Sequence, residues 1–198
     1  MRTLEQHITQ YAAYHRDRRN IATHFIGIPL IVFSVALALA VVNAPIGNPR
    51  LSMALLVTLV AVGYYLYLDL ALGAAMLVYM SVNYGLACEL SAILTSTTTL
   101  WVALAIFVGG WILQFLGHKY EGVKPAFVDD MMGLVIGPLF MMTEVFFALG
   151  QKPGLRRYVE DRVGPTLAAR NGAPIGPVDA KDKVVAGFED EADPASHL

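Results

Sequence analysis

The chain has 198 residues, of which 56% are hydrophobic and only 15% charged, whereas soluble domains average about 25% charged residues. Residues 20–150 hold nine formal charges (Arg50, Asp69, Glu89, Lys119, Glu121, Lys124, Asp129, Asp130 and Glu144), too few to cover a water-facing surface, so lipid is the expected solvent. The net charge of −2 gives no reason to expect nucleic acid as a partner, and Cys88, the sole cysteine, excludes an intrachain disulfide.

Residues 1–20 are polar and lack an apolar core, which argues against a cleavable signal. They predict an amphipathic surface helix with Leu4, Ile8, Tyr11 and Ala12 toward lipid. Asn20 is the expected N-cap of a membrane helix that starts at Ile21. Spanning helices are expected over Ile21–Val42, Leu51–Leu68, Leu70–Cys88 and Leu90–Gly117, the last with room for a loop at Thr95–Thr99. Asn43–Pro49 reads as a loop, and Asp69 as a turn with almost no linker. A fifth stretch, Met131–Leu149, contains Glu144 and is interrupted at Gly137-Pro138. The expected fold is all-α: a polytopic membrane bundle of four spanning helices, with an N-terminal amphipathic helix and a re-entrant or tilted fifth membrane helix. Residues 1–165 form that domain, and 166–198 read as a disordered acidic tail.

Lysine and arginine set the expected orientation. Arg2, Arg16, Arg18 and Arg19 precede the first span, which puts the N-terminus in the cytoplasm. If the fifth stretch dips in and returns at Gly137-Pro138, then of the basic residues before the tail ten lie inside and only Arg50 outside. A full fifth crossing would nearly abolish that bias.

His15 and His24 then flank the start of the first span and His118 closes the fourth, so all three reach one membrane face. His15 and His24 are nine residues apart, on opposite faces of any continuous helix, so they share an ion only if the helix breaks between them. His118 and Glu121 are three apart and offer one imidazole and one carboxylate. Each histidine alone is as readily an interfacial anchor; together they suggest a mononuclear metal site. His7 reads as a surface residue and His197 belongs to the tail. Asp69 is a turn residue or a metal neighbour. Glu144, inside an apolar helix, is either functional or paired with arginine or backbone. Asn83, Gln114, Tyr64, Tyr65 and Tyr67 are available to line a polar pocket. Phosphate loops, nucleophile elbows and paired cysteines are absent.

Two blocks of these residues resemble the 2-hydroxy fatty acid dioxygenase family of fungal α-oxidation, which acts in phytosphingosine breakdown. The first runs from Tyr11 through His15, Asn20 and His24 to Gly27-Ile-Pro29. The second runs from Trp111 through Gln114, Gly117-His118 and Glu121 to Pro125-Ala126, and on through Asp129, Gly137-Pro138 and Phe140 to Glu144. The resemblance implies an Fe(II)-dependent oxygenase that shortens a 2-hydroxy fatty acid by one carbon, using dioxygen without an organic cosubstrate. His15, His24 and His118 would be the ligands, with Glu121 or Asp129 as carboxylate partner. Asn20 and Tyr11 would orient the histidines or the substrate head, and Lys119 and Lys124 would attract its carboxylate. The expected setting is the cytoplasmic face of a bacterial inner membrane or of the endoplasmic reticulum, among membrane lipid. A non-catalytic lipid-binding or scaffold protein and a zinc-dependent lipid hydrolase are the rival readings.

Overall fold

A computed structural model describes residues 2–42, 51–122, 125 and 130–168. These form seven α-helices and no β-sheet: α1 (Leu4–Ala12), α2 (Arg18–Ala40), α3 (Met53–Leu68), α4 (Leu70–Ile93), α5 (Ser96–Glu121), α6 (Met132–Ala148) and α7 (Pro153–Val163). The expected all-α membrane fold is borne out. Helices α2, α4 and α5 are long and apolar enough to cross a membrane. The 16 residues of α3 reach about 24 Å, short of a hydrocarbon core of about 30 Å. Asn43–Pro49 and nearly all of the expected tail, from residue 169, lie outside the described residues.

The helices form two compact units, Met1–Thr23 with Phe115–Leu198, and His24–Gln114. In the first unit, α1 begins at a capping box in which Thr3 accepts from the Gln6 N–H and the Gln6 side chain accepts from the Thr3 N–H. Its apolar stripe does not face lipid. Leu4, Ile8, Tyr11 and Ala12 are all buried, because α6 and α7 pack on α1. His7 is also buried rather than superficial.

The expected reversal at Gly137-Pro138 does not occur. Pro138 removes one helical hydrogen bond, yet α6 continues through it to Ala148. The chain turns instead where Gly150 and Lys152 adopt positive φ (72° and 54°) and Pro153 opens α7. The angle between α6 and α7 is 112°, the shape of a broken span or a re-entrant loop.

In the second unit, Asp69 both ends α3 and caps α4, accepting the Leu72 N–H at 2.9 Å. It is therefore a turn residue. Helix α5 starts at Ser96, earlier than the expected loop allows, because the Thr95 side chain and carbonyl take the N–H groups of Thr98 and Thr99. The core joins Leu37 of α2, Ala87 of α4 and Ala103 of α5. Small residues let apolar helices approach closely in lipid: a Cβ at Gly110 would lie 3.0 Å from the Gly27 carbonyl oxygen and 2.7 Å from Ile31 Cγ1. Large apolar side chains such as Leu59, Val60, Val78 and Ile112 point outward, as lipid-facing residues do.

Candidate metal centre

The site is built where α1 breaks from α2. The helix breaks over residues 13–17, earlier than the expected boundary at Asn20, because Asp17 rather than Asn20 caps α2. The Asp17 carbonyl accepts the Ile21 N–H at 3.1 Å, and its carboxylate accepts the Arg19 N–H at 2.8 Å and the Arg19 guanidinium at 2.7 Å. His15 falls in the break, so it is freed from the helical face that would have held it opposite His24.

His15 is fully buried and its orientation is fixed twice. Its ring stacks on Tyr11, with centroids 4.2 Å apart and planes within 1°. Its Nδ1 lies 2.7 Å from the Tyr11 carbonyl oxygen. A carbonyl only accepts, so Nδ1 carries the proton, and Nε2 keeps its lone pair in the neutral ring. Phe140 of α6 packs against both rings, 4.9 Å from Tyr11 and 5.6 Å from His15. Burial pushes the Tyr11 phenol above its usual range.

Glu121, the last residue of α5, is 2% exposed and holds the break in place. Its Oε1 accepts the Arg16 N–H at 3.0 Å, and its Oε2 accepts the Asp17 N–H at 2.8 Å and the Asn20 amide at 3.0 Å. The Asn20 amide also donates to the Tyr14 carbonyl at 3.2 Å. The start of α2 and the end of α5 are thus tied by one carboxylate. His118, one turn before that end, meets His15 edge to face at 4.9 Å.

The division between the two units falls inside α2, which is continuous there, so His24 follows Asn20 by one helical turn. One ring nitrogen from each of His15, His24 and His118 lies within 4.8 Å of the others, and all three residues are buried. Around a divalent ion with bonds of about 2.1 Å, ligand nitrogens stand roughly 3 to 3.5 Å apart. The donor set fits a metal: imidazoles in a dry setting, one of them with its second nitrogen engaged by a carbonyl, as ligating histidines generally are. Asp129 and Lys124 lie outside the described residues, and Lys119 is exposed.

Arg16 was legible only as one of a run of basic residues. It is in fact 4% exposed; its Nε donates to the Ala12 and His15 carbonyls at 2.9 Å and its guanidinium to Gly164 at 3.0 Å. It stands 3.8 Å from Glu144, so of the readings open for that carboxylate the structure shows the arginine pair. Leu167 adds a parallel bridge to Asp17: its N–H meets the Arg16 carbonyl at 2.8 Å and its carbonyl the Arg18 N–H at 2.9 Å. No periodicity signals such a contact between residues so far apart.

Residues 1–149 match the model of the family described as Mpo1-like, 2-hydroxy-palmitic acid dioxygenase Mpo1-like. The 2-hydroxy-palmitic acid dioxygenase MPO1 of Saccharomyces cerevisiae is 33% identical over 153 residues, covering 76% of this chain and 83% of the yeast protein. No solved structure gives a significant match. The match spans every histidine of the buried triad, as the two motif blocks led one to expect, and the chain belongs to the Mpo1-like family.

Proposed function

We propose that the protein is an iron(II)-dependent dioxygenase that converts a 2-hydroxy fatty acid to a fatty acid one carbon shorter. The observation that carries this reading is the buried triad of His15, His24 and His118, with the His15 tautomer set by Tyr11. The name of the yeast relative supports the substrate class.

The reaction balances without a further reductant. A 2-hydroxy acid plus one dioxygen gives the shortened acid, carbon dioxide and water, and the oxidised substrate supplies all four electrons that dioxygen accepts. Iron(II), when bound, supplies the one-electron chemistry that lets dioxygen react with a closed-shell substrate.

The protein's own contribution is position and dryness. His15, His24 and His118 present the ligand nitrogens. Tyr11 and Phe140 wall the site with aromatic rings and keep water from His15. Glu121 serves as a brace: its two oxygens accept from the Arg16 and Asp17 N–H groups and the Asn20 amide, all just after His15 in the chain. Asn20 locks that brace to the Tyr14 carbonyl. The hydroxyl and carboxylate of the substrate are the polar groups available to the metal, while its alkyl tail takes the apolar surroundings. Such fixation of the reacting carbons is itself a large part of catalysis. Basic residues around the site, Arg16, Arg18, Arg19 and Lys119, support a cytoplasmic face, in a bacterial inner membrane or the endoplasmic reticulum.

Incubation of purified protein with a 2-hydroxy fatty acid, with and without air, tests the reading. Product one carbon shorter is expected in air alone. Equal product without oxygen, or a hydrolytic product from zinc-loaded protein, overturns it.

A further inference from the structure

We infer that Gln114 is a substrate-binding residue, whose side-chain amide donates a hydrogen bond to the polar head of the bound fatty acid. This rests on the fatty-acid reading above. Gln114 is 6% exposed, yet its Nε2 has no hydrogen-bond partner among the described residues. A primary amide carries two N–H donors, and an apolar helix crossing is a poor place to leave them without an acceptor.

The local packing preserves that amide at some sacrifice. Gln114 sits where α2 and α5 cross, and its Nε2 occupies the space a Cβ on Gly27 would fill; that same Cβ would come within 2.9 Å of the Gly110 carbonyl oxygen and 3.2 Å of Leu113 Cβ. Glycine at position 27 is the residue that leaves room for the amide. Leucine at 114 would satisfy the crossing with no polar group to desolvate.

Position along α5 says what the missing acceptor is. Gln114 precedes His118 by four residues, one helical turn on the same face. Likewise Gly27 follows His24 by three on α2. The amide thus lies one turn further into the apolar part of both helices than the imidazoles those helices carry. A ligand whose polar head reaches the imidazoles and whose chain runs along the apolar helices has its first carbons and head oxygens at that depth. A 2-hydroxycarboxylate supplies acceptor oxygens there, and a hydrocarbon chain alone does not. The hydrogen bond therefore favours a hydroxylated head over an unsubstituted tail in this position.

The test uses Gln114→Leu and Gln114→Met in full-length, metal-loaded protein. Thermal unfolding is measured with and without 2-hydroxypalmitate under anaerobic conditions, and KM and kcat in air. The expected result is a melting temperature without ligand that is unchanged or higher, unchanged metal content, and a substrate-induced thermal shift that is largely lost. KM should rise about tenfold or more, as for one lost hydrogen bond to a charged group. A variant with wild-type KM and thermal shift overturns the inference. So does a fall in ligand-free stability or a failure to fold in both variants, since the amide would then be serving the protein itself. Should the wild type lack oxygen-dependent activity, the functional reading fails instead, and the two failures are distinguishable.

Discussion

Tyr11 both stacks on His15 and accepts its Nδ1 proton through the main-chain carbonyl four residues earlier in the chain. One residue therefore sets the plane of the imidazole with its ring and the tautomer with its backbone. The two functions separate on mutation, because only the first depends on the side chain.

Tyr11→Phe keeps the ring and the carbonyl, so metal affinity should stay within a factor of about two of wild type. Tyr11→Leu loses the stack and should weaken metal binding about 10- to 100-fold, the usual effect of removing a group that orients a ligand. Metal titration of the apoprotein measures both. A Phe variant as impaired as Leu would mean that the phenol hydroxyl, rather than the ring, matters.

Glu121 distinguishes a brace from a ligand. Glu121→Ala leaves two backbone N–H groups and the Asn20 amide without their acceptor, and should destabilise the protein by about 3 kcal/mol or more. Glu121→Gln sets an NH2 against one of those donors and should cost about 2 kcal/mol. The Gln variant that folds should nevertheless keep wild-type metal stoichiometry. Chemical denaturation and metal analysis on one preparation check this. Metal loss at undiminished stability would make Glu121 a ligand.

The crossing of α2 and α5 has little tolerance. Gly110→Ala brings a methyl within 2.7 Å of Ile31 Cγ1 and 3.0 Å of the Gly27 carbonyl, and should destabilise by about 1 to 3 kcal/mol through overpacking. Gly109, with nothing near its missing Cβ, is the control: Gly109→Ala should be neutral or slightly stabilising. Thermal unfolding in detergent compares them.

Acid should weaken the first unit in two stages. Burial, aided by Arg2, lowers the His7 pKa. The Met132 N–H and Arg2 lower that of Asp130, with which Arg2 pairs in a strong hydrogen-bonded contact at 2.6 Å. For both groups the folded pKa is depressed, so their stabilisation is present above the unfolded values, about 6.5 and 3.9. It is lost as pH falls through the lower folded values. Stability measured against pH should show that acid limb. His7→Gln should remove the stage nearer neutrality, and Asp130→Asn the more acidic one.

Much of the fold and of the site is legible in the sequence. The uncharged runs gave the membrane helices because lipid excludes charge whatever the packing. The histidines were identifiable because topology alone brings the start of α2 and the end of α5 to one level. Other features depend on contacts between distant residues, which no local pattern carries. Asn20 has the chemistry of an N-cap, but Asp17 has it too, and only the Glu121 carboxylate decides which one caps. The stripe Leu4, Ile8, Tyr11 and Ala12 reads the same whether it faces lipid or protein, and α6 and α7 settle that. Gly137-Pro138 looks like a break, yet a single missing hydrogen bond does not end α6, whereas the left-handed backbone of Gly150 and Lys152 does. Arg16 and Arg18 are the same residue type two positions apart, one buried and one exposed.

In the proposed function His15, His24 and His118 together hold one iron(II) ion. Iron per chain, measured on anaerobically purified wild type and His118→Ala, tests it most directly. About one iron per wild-type chain is expected, and nearly none in the variant. Wild type without stoichiometric iron, or a folded His118→Ala protein that keeps it, would rule out iron binding by the triad.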